Sequence, residues 1–132
     1  MIRGSSGKEL IEKLIFMGRN EEVVEIEGVS FTLTSLSESQ NKELLDRIFS
    51  LTESERLSHS KSIAVACSLT KINEYDISTF SKEVEEGDTE LDKRLVLVSK
   101  MQASVVSKLY AAFEKMNIKP DANEASEQIK NS

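Results

Sequence analysis

Residues 23–36, VVEIEGVSFTLTSL, and residues 62–77, SIAVACSLTKINEYDI, decide how this chain folds. In the first stretch Val24, Ile26, Phe31 and Leu33 alternate with Glu25, Glu27, Thr32 and Thr34, the period of a half-buried β-ribbon. Glu27-Gly28 falls between the two runs, where glycine supplies the positive φ that a tight turn needs. The spacing predicts a β-hairpin over residues 22–35. An isolated hairpin is marginal in water, so its apolar face must lie on helices or join another chain's sheet. Both strands have potential open edges, which leaves two readings: a decorated helical domain, or strand addition between subunits. The second stretch reads as a helix. Ile63, Ala66, Leu69 and Ile72 recur at helical spacing, with small Ala64 and Cys67 permitting close helix approach.

Working outward, Leu10, Ile11, Leu14, Ile15 and Met17 predict a helix over 8–17, stopped by Gly18. Ser37-x-x-Gln40 and Thr52-x-x-Glu55 each match a capping box, so helices are expected to start near Glu38 and Glu53. Leu44, Leu45, Ile48 and Phe49 supply one face of the first. The polar segment ESERLSHSKS at the start of the second is expected to project into solvent or toward a partner. Residues 73–87 read as a connector. Asn73 is a left-handed stop, Tyr75, Ile77 and Phe80 are apolar pegs, and EVEEGD is a solvated loop.

Asp88 or Thr89 can cap a last helix running through about Asn117, roughly 40 Å long at the standard rise. Leu91, Leu95, Val98, Gln102, Val105, Leu109, Ala112 and Met116 form a heptad seam with one polar member, Gln102. Leu97, Met101, Val106, Tyr110 and Phe113 make a second apolar strip beside it. Two strips exceed one flat contact, so this helix is expected to pack both inside the domain and against another chain. Pro120 ends it, and residues 118–132 read as a polar, flexible tail. The fold class expected is α+β, mainly α: one domain over 1–117, with a hairpin near its start and a long C-terminal helix.

At 132 residues the chain is long enough for one substantial core, and with few aromatics and no Trp that core is Leu, Ile, Val and Ala. A net charge of −6 argues against general nucleic-acid binding, which needs clustered Lys and Arg. No window approaches a membrane span, and the N-terminal segment is too polar for a secretory leader. The single cysteine, Cys67, lies inside the apolar run IAVAC and reads as an inert buried thiol, compatible with a reducing compartment. His59, the one histidine, sits in a polar segment with no second His or Cys near it in sequence. The five glycines are scattered, without a phosphate loop, and no carboxylate run has calcium-loop spacing. No catalytic residue, cofactor or metal is expected, and an enzyme is not the reading.

The segment V-E-I-E-G-V-S-F-T-L-T-S-L at 24–36, followed by R-L-S-H-S-K-S-I-A-V-A-C-S-L-T-K-I-N-E-Y-D-I at 56–77, resembles small tail-morphogenesis proteins of tailed bacteriophages. These include tail assembly chaperones and small baseplate-hub assembly proteins. The likeness covers positions 23–117 and rests on patterning: a strand pair with a central Gly, a polar helix, an alanine-rich helix, then a final long helix. Asn73-Glu74 stands where a glycine-containing turn is common. The resemblance implies a non-enzymatic oligomer that binds the long apolar tape-measure protein in the host cytoplasm. Leu97, Met101, Tyr110 and Phe113 would then be its partner-facing strip. On that reading, replacing Met101 and Phe113 with Glu abolishes association while helicity is retained. The alternatives are a structural tail or baseplate-hub subunit retained in the virion, and a bacterial helical adaptor.

Overall fold

The computed structural model describes residues 4–117. The polar tail expected over 118–132 lies outside them. Ten elements follow in order: α1 (Gly4–Phe16), β1 (Glu21–Ile26), β2 (Val29–Thr34), α2 (Glu38–Phe49), α3 (Glu53–Ser68), β3 (Leu69–Ile72), β4 (Tyr75–Asp76), α4 (Ile77–Ser81), α5 (Glu90–Ser99) and α6 (Ala103–Asn117). The class is α+β, mainly α, as the sequence predicts.

The hairpin forms where the alternation places it. Val24 pairs with Phe31 and Ile26 with Val29, and Glu27 and Gly28 both take positive φ, 51° and 81°. Two successive left-handed residues match the right-handed twist of the flanking strands, so this turn requires the glycine. The hairpin is half of a larger sheet: four antiparallel strands in the order β1-β2-β3-β4. The edge of β2 is therefore taken by β3 of the same chain, with Phe31 opposite Ile72 and Leu33 opposite Leu69. That corrects the expectation of two open edges: of the two hairpin strands, β1 alone keeps an unpaired side among the described residues.

The alanine-rich helix is correspondingly shorter than its periodicity predicts. It stops at Ser68, and Leu69 turns to extended backbone, φ −69° and ψ 120°. Pairing with β2 outweighs helix continuation there. Thr70 Oγ1 lies 3.0 Å from Thr34 Oγ1 across the sheet and donates to the Thr32 carbonyl. Asn73 does adopt the left-handed conformation, φ 56°, but it terminates a strand. Its Oδ1 accepts from Ser30 N–H, locking the end of β3 to β2.

Both capping boxes form as predicted, at Ser37/Gln40 and Thr52/Glu55. Along α3 every residue from Ile63 to Ser68 is buried, because α2, α5, α6 and β2 surround this one helix. Ala64 and Ala66 let them approach closely. Leu33, Leu69, Val98 and Leu109 are essentially inaccessible, each worth about 1.5–3 kcal/mol of apolar burial.

The long C-terminal helix is not continuous. It breaks at residues 100–102, where Lys100 and Met101 N–H groups close tight turns onto Leu97 and Val98 carbonyls. Gln102 then opens α6, its carbonyl accepting from Val105 and Val106. A straight helix would leave one of its two apolar strips in water. The break lets α5 and α6 both lie on α3, burying Leu91 and Val98 from one and Val106, Leu109, Ala112, Phe113 and Met116 from the other. Gln102, the polar member of the seam, sits at the break and is exposed.

One ion pair ties α2 to α5: Arg47 Nη1 donates to Asp92 Oδ1 at 2.6 Å, while Asp92 also closes the capping box with Thr89. These donors, Arg47 foremost, hold the Asp92 carboxyl down at about 2. A depressed carboxylate contributes stability above its unfolded value near 4 and loses it as pH falls toward 2. Asp92→Asn is therefore expected to melt lower near neutral pH and to show a shallower fall in melting temperature between about pH 5 and 2. Parallel acid limbs in thermal melts of the two proteins would contradict this.

Candidate partner-binding surface

Of the strip expected to meet a partner, Phe113 is buried in the core and Leu97, Met101 and Tyr110 are half-buried. Phe113 is 6% exposed and Tyr110 half-buried, their rings stacked with centroids 5.8 Å apart and 23° between planes. Lys61 Nζ stands 5.8 Å over the Tyr110 ring, tying α3 to α6. Leu97 is half-buried on α5 and lines a shallow cavity of about 470 Å³ with Phe80, Val84 and Lys100. Met101, in the break, is half-buried too. All four residues pack against the core. The structure brings Tyr110 and Phe113 together; Leu97 stands apart from them across the break.

Among the described residues, the longest run of exposed large apolar side chains is on α1 and the turn that follows it. Leu10, Ile11, Leu14 and Ile15 fall on one helical face by their spacing, and Met17 follows at the end. With Phe16 these side chains are 44–67% exposed. Such a row exceeds the scattered single apolar residues of an ordinary surface. The polar face holds Lys8, Glu9, Glu12 and Lys13, two charges of each sign.

The attachment of α1 follows from local chemistry. Its last turn closes with Met17 N–H on the Lys13 carbonyl, and Gly18 at φ 80° turns the chain away. Asn20 and Ser35 then exchange two hydrogen bonds, Asn20 N–H to Ser35 Oγ at 2.8 Å and Ser35 N–H to the Asn20 carbonyl at 2.9 Å. Arg19 covers the Phe16 ring at 5.3 Å and reaches Glu21 at 3.8 Å. The helix is thus hinged to the end of β2 without lying on the sheet.

Between the C-terminal end of α1 and the start of α2 this leaves an open cleft of about 1060 Å³. Leu14, Ile15, Phe16, Met17 and Leu36 form its apolar side; Thr34, Ser35, Ser37, Gln40 and Lys42 form its polar side. That composition suits an amphipathic helix laid lengthwise, with apolar anchors toward α1 and a polar flank toward the serine-rich wall. The sequence pattern places the helix but not its exposure. The available signal was an apolar face on a segment separated from the core elements by the Gly18 stop.

A second, smaller set of exposed apolar residues lies on α2 and α3: Leu45, Phe49 and Leu57, the last 84% exposed. Arg56 stands over the Phe49 ring at 5.5 Å and donates to the Ile48 and Phe49 carbonyls, closing the α2–α3 corner. The polar start of α3 does project outward, as its sequence suggests. Cys67 borders the cleft but is only 8% exposed, and burial pushes its thiol up to about 11. It stays protonated at neutral pH and is a poor nucleophile. His59 is exposed on α3. Among the described residues, no three His, Cys, Asp or Glu side chains are grouped to hold a metal, and no helix is long and apolar enough to cross a membrane.

No protein-family model matches the chain, and neither comparison with curated proteins nor comparison with solved structures returns a match.

Proposed function

We propose that this chain is a non-enzymatic tail-morphogenesis protein of a tailed bacteriophage: an assembly chaperone that covers apolar helical segments of the tape-measure protein. The observation that carries the reading is the hinged helix α1, whose apolar row stands exposed beside a cleft of helix-accepting composition. A long apolar client needs a surface that covers its helix face, and a carrier with net charge of −6 keeps the complex dissolved. The docking face assigned here is Leu14, Ile15, Met17 and Leu36, in place of the α5–α6 strip.

Co-expression with the tape-measure protein of the same phage tests the reading. The natural chain is expected to hold the client soluble, and Leu14→Glu/Ile15→Glu to lose at least about tenfold in captured client while melting like the natural protein. Quantitative mass spectrometry then fixes the protein's fate. Abundance in the lysate with absence from purified particles supports a chaperone. A fixed copy number per particle replaces it with a structural tail or hub subunit.

A further inference from the structure

Of the two edges the sheet shows among the described residues, only β1 is long: six residues, against two in β4. Ser35 N–H donates to the Asn20 carbonyl, and the β1–β2 register runs on from there without a shift. Bonded and unbonded pairs alternate in an antiparallel ladder, so Glu22, Val24 and Ile26 are the residues bonded to β2. Glu21, Val23 and Glu25 therefore turn their N–H and C=O groups outward, to the free edge. The side chains of these three residues lie on the exposed face of the strand. Glu22, Val24 and Ile26 turn toward α6, where Glu22 meets Lys115 at 2.8 Å. Lysines, prolines and bulges commonly close such an edge; β1 has none of them, and its charged side chains are all carboxylates.

We propose that β1 accepts an extended, basic segment of another protein as a fifth antiparallel strand. An antiparallel strand continues the pattern of the three existing pairings. Its residues opposite Glu21 and Glu25 fall on the exposed face, where Lys or Arg meets a carboxylate directly. Both carboxylates are available. Glu21 is more than half exposed with Arg19 3.8 Å away, and Glu25 is steadied by Ser30 Oγ at 3.2 Å. Val23, 60% exposed between them, and Val24 on the other face call for apolar residues opposite. The edge thus selects a strand with two basic residues four apart and two adjacent apolar residues between them. Main-chain bonds supply the hold and alternate side chains the selectivity. A second copy does not fit: twofold antiparallel pairing centred on Val23 sets Glu21 of each copy against Glu25 of the other. The same carboxylates that refuse this chain admit one of opposite charge, and the net charge of −6 draws it in.

The surface is not the one that the chaperone reading uses, so either can fail without the other. The probe is a capped peptide, TRVVTRT, whose arginines come opposite Glu25 and Glu21 and whose second valine comes opposite Val23. Added to the full chain at up to about 1 mM, it is expected to slow amide hydrogen exchange at Glu21, Val23 and Glu25 by at least about tenfold. Methylating the backbone nitrogen of the second valine, whose N–H faces β1, is expected to abolish binding. Methylating that of the first valine, whose N–H faces away, is expected to leave it within about threefold. Glu21→Lys/Glu25→Lys is expected to lose the arginine peptide at least about tenfold and to bind the peptide with glutamate in place of both arginines. Two such reversals add four charges to −6, so the variant is still acidic and general attraction cannot explain that gain. Unchanged melting temperature checks that the variant is folded. Equal binding of the two methylated peptides, or no added protection at about 1 mM, overturns the proposal. So does prior protection of the three amides in the free protein, which would mean that this chain or a second copy already takes the edge.

Discussion

Phe113→Glu is expected to unfold this protein, and Met101→Glu to leave it folded. Phe113 is 6% exposed on the inner side of α6, stacked on Tyr110 and enclosed by the same core that holds Leu109 and Met116. Removing a buried aromatic side chain costs about 3–5 kcal/mol. A glutamate in its place must either bury a charge or take up a proton, which adds to that cost at neutral pH. The sum approaches the whole stability of a typical domain, about 5–15 kcal/mol. The expected result in a thermal melt is loss of the cooperative transition, or a fall of at least about 15 °C. Met101 is half-buried at a turn where a polar side chain of similar length can bend outward, so its replacement should cost under about 1.5 kcal/mol. A folded Phe113→Glu protein would mean that α6 is not docked on α3 and that its strip is free for a partner. The pair of variants thus asks whether the strip read from the sequence is surface or interior.

What the sequence disclosed was local chemistry. The hairpin turn depends on two neighbouring residues, Glu27 and Gly28, and the caps of α2 and α3 on residues three apart. Each is written in a few adjacent letters, and each formed where expected. Two long-range outcomes were hidden. Leu69 to Ile72 fits the helical spacing of Ile63 and Ala66, and becomes a strand only because β2, some 36 residues earlier, pairs with it. The segment SKMQAS at 99–104 contains no Gly or Pro, so no local breaker announces the α5–α6 turn. The turn exists because both apolar strips find cover on α3 once the helix bends. The same cause changes the setting of the candidate strip. A strip of Leu97, Met101, Tyr110 and Phe113 lies along one straight helix in the sequence pattern; with the break, Phe113 is buried and the other three are half-buried against the core. The apolar row of α1 was legible as a helix face. Its exposure follows from where Gly18 and the Asn20–Ser35 clasp leave the helix, which a single sequence does not display.

Proline placed at two positions separates a broken helix from a continuous one. Ala103 is the first residue of α6, where the backbone N–H has no intrahelical acceptor and a fixed φ near −65° suits the turn. Gln102 before it occupies the N-cap position, for which extended backbone is usual, the conformation that a following proline favours. Ala103→Pro is therefore expected to change stability by less than about 1 kcal/mol. Ser107 is exposed in the interior of α6, where proline removes a hydrogen bond and clashes with the preceding turn. Ser107→Pro is expected to cost about 3 kcal/mol or more, read as a shift in urea midpoint at unchanged slope. In an uninterrupted helix from Glu90 to Asn117 the two substitutions would be equally damaging, since both would be interior. Equal losses would restore the straight helix and, with it, an outward strip on α5–α6 as the place where a partner binds. A large difference keeps the helix broken at residues 100–102 and both strips packed on α3.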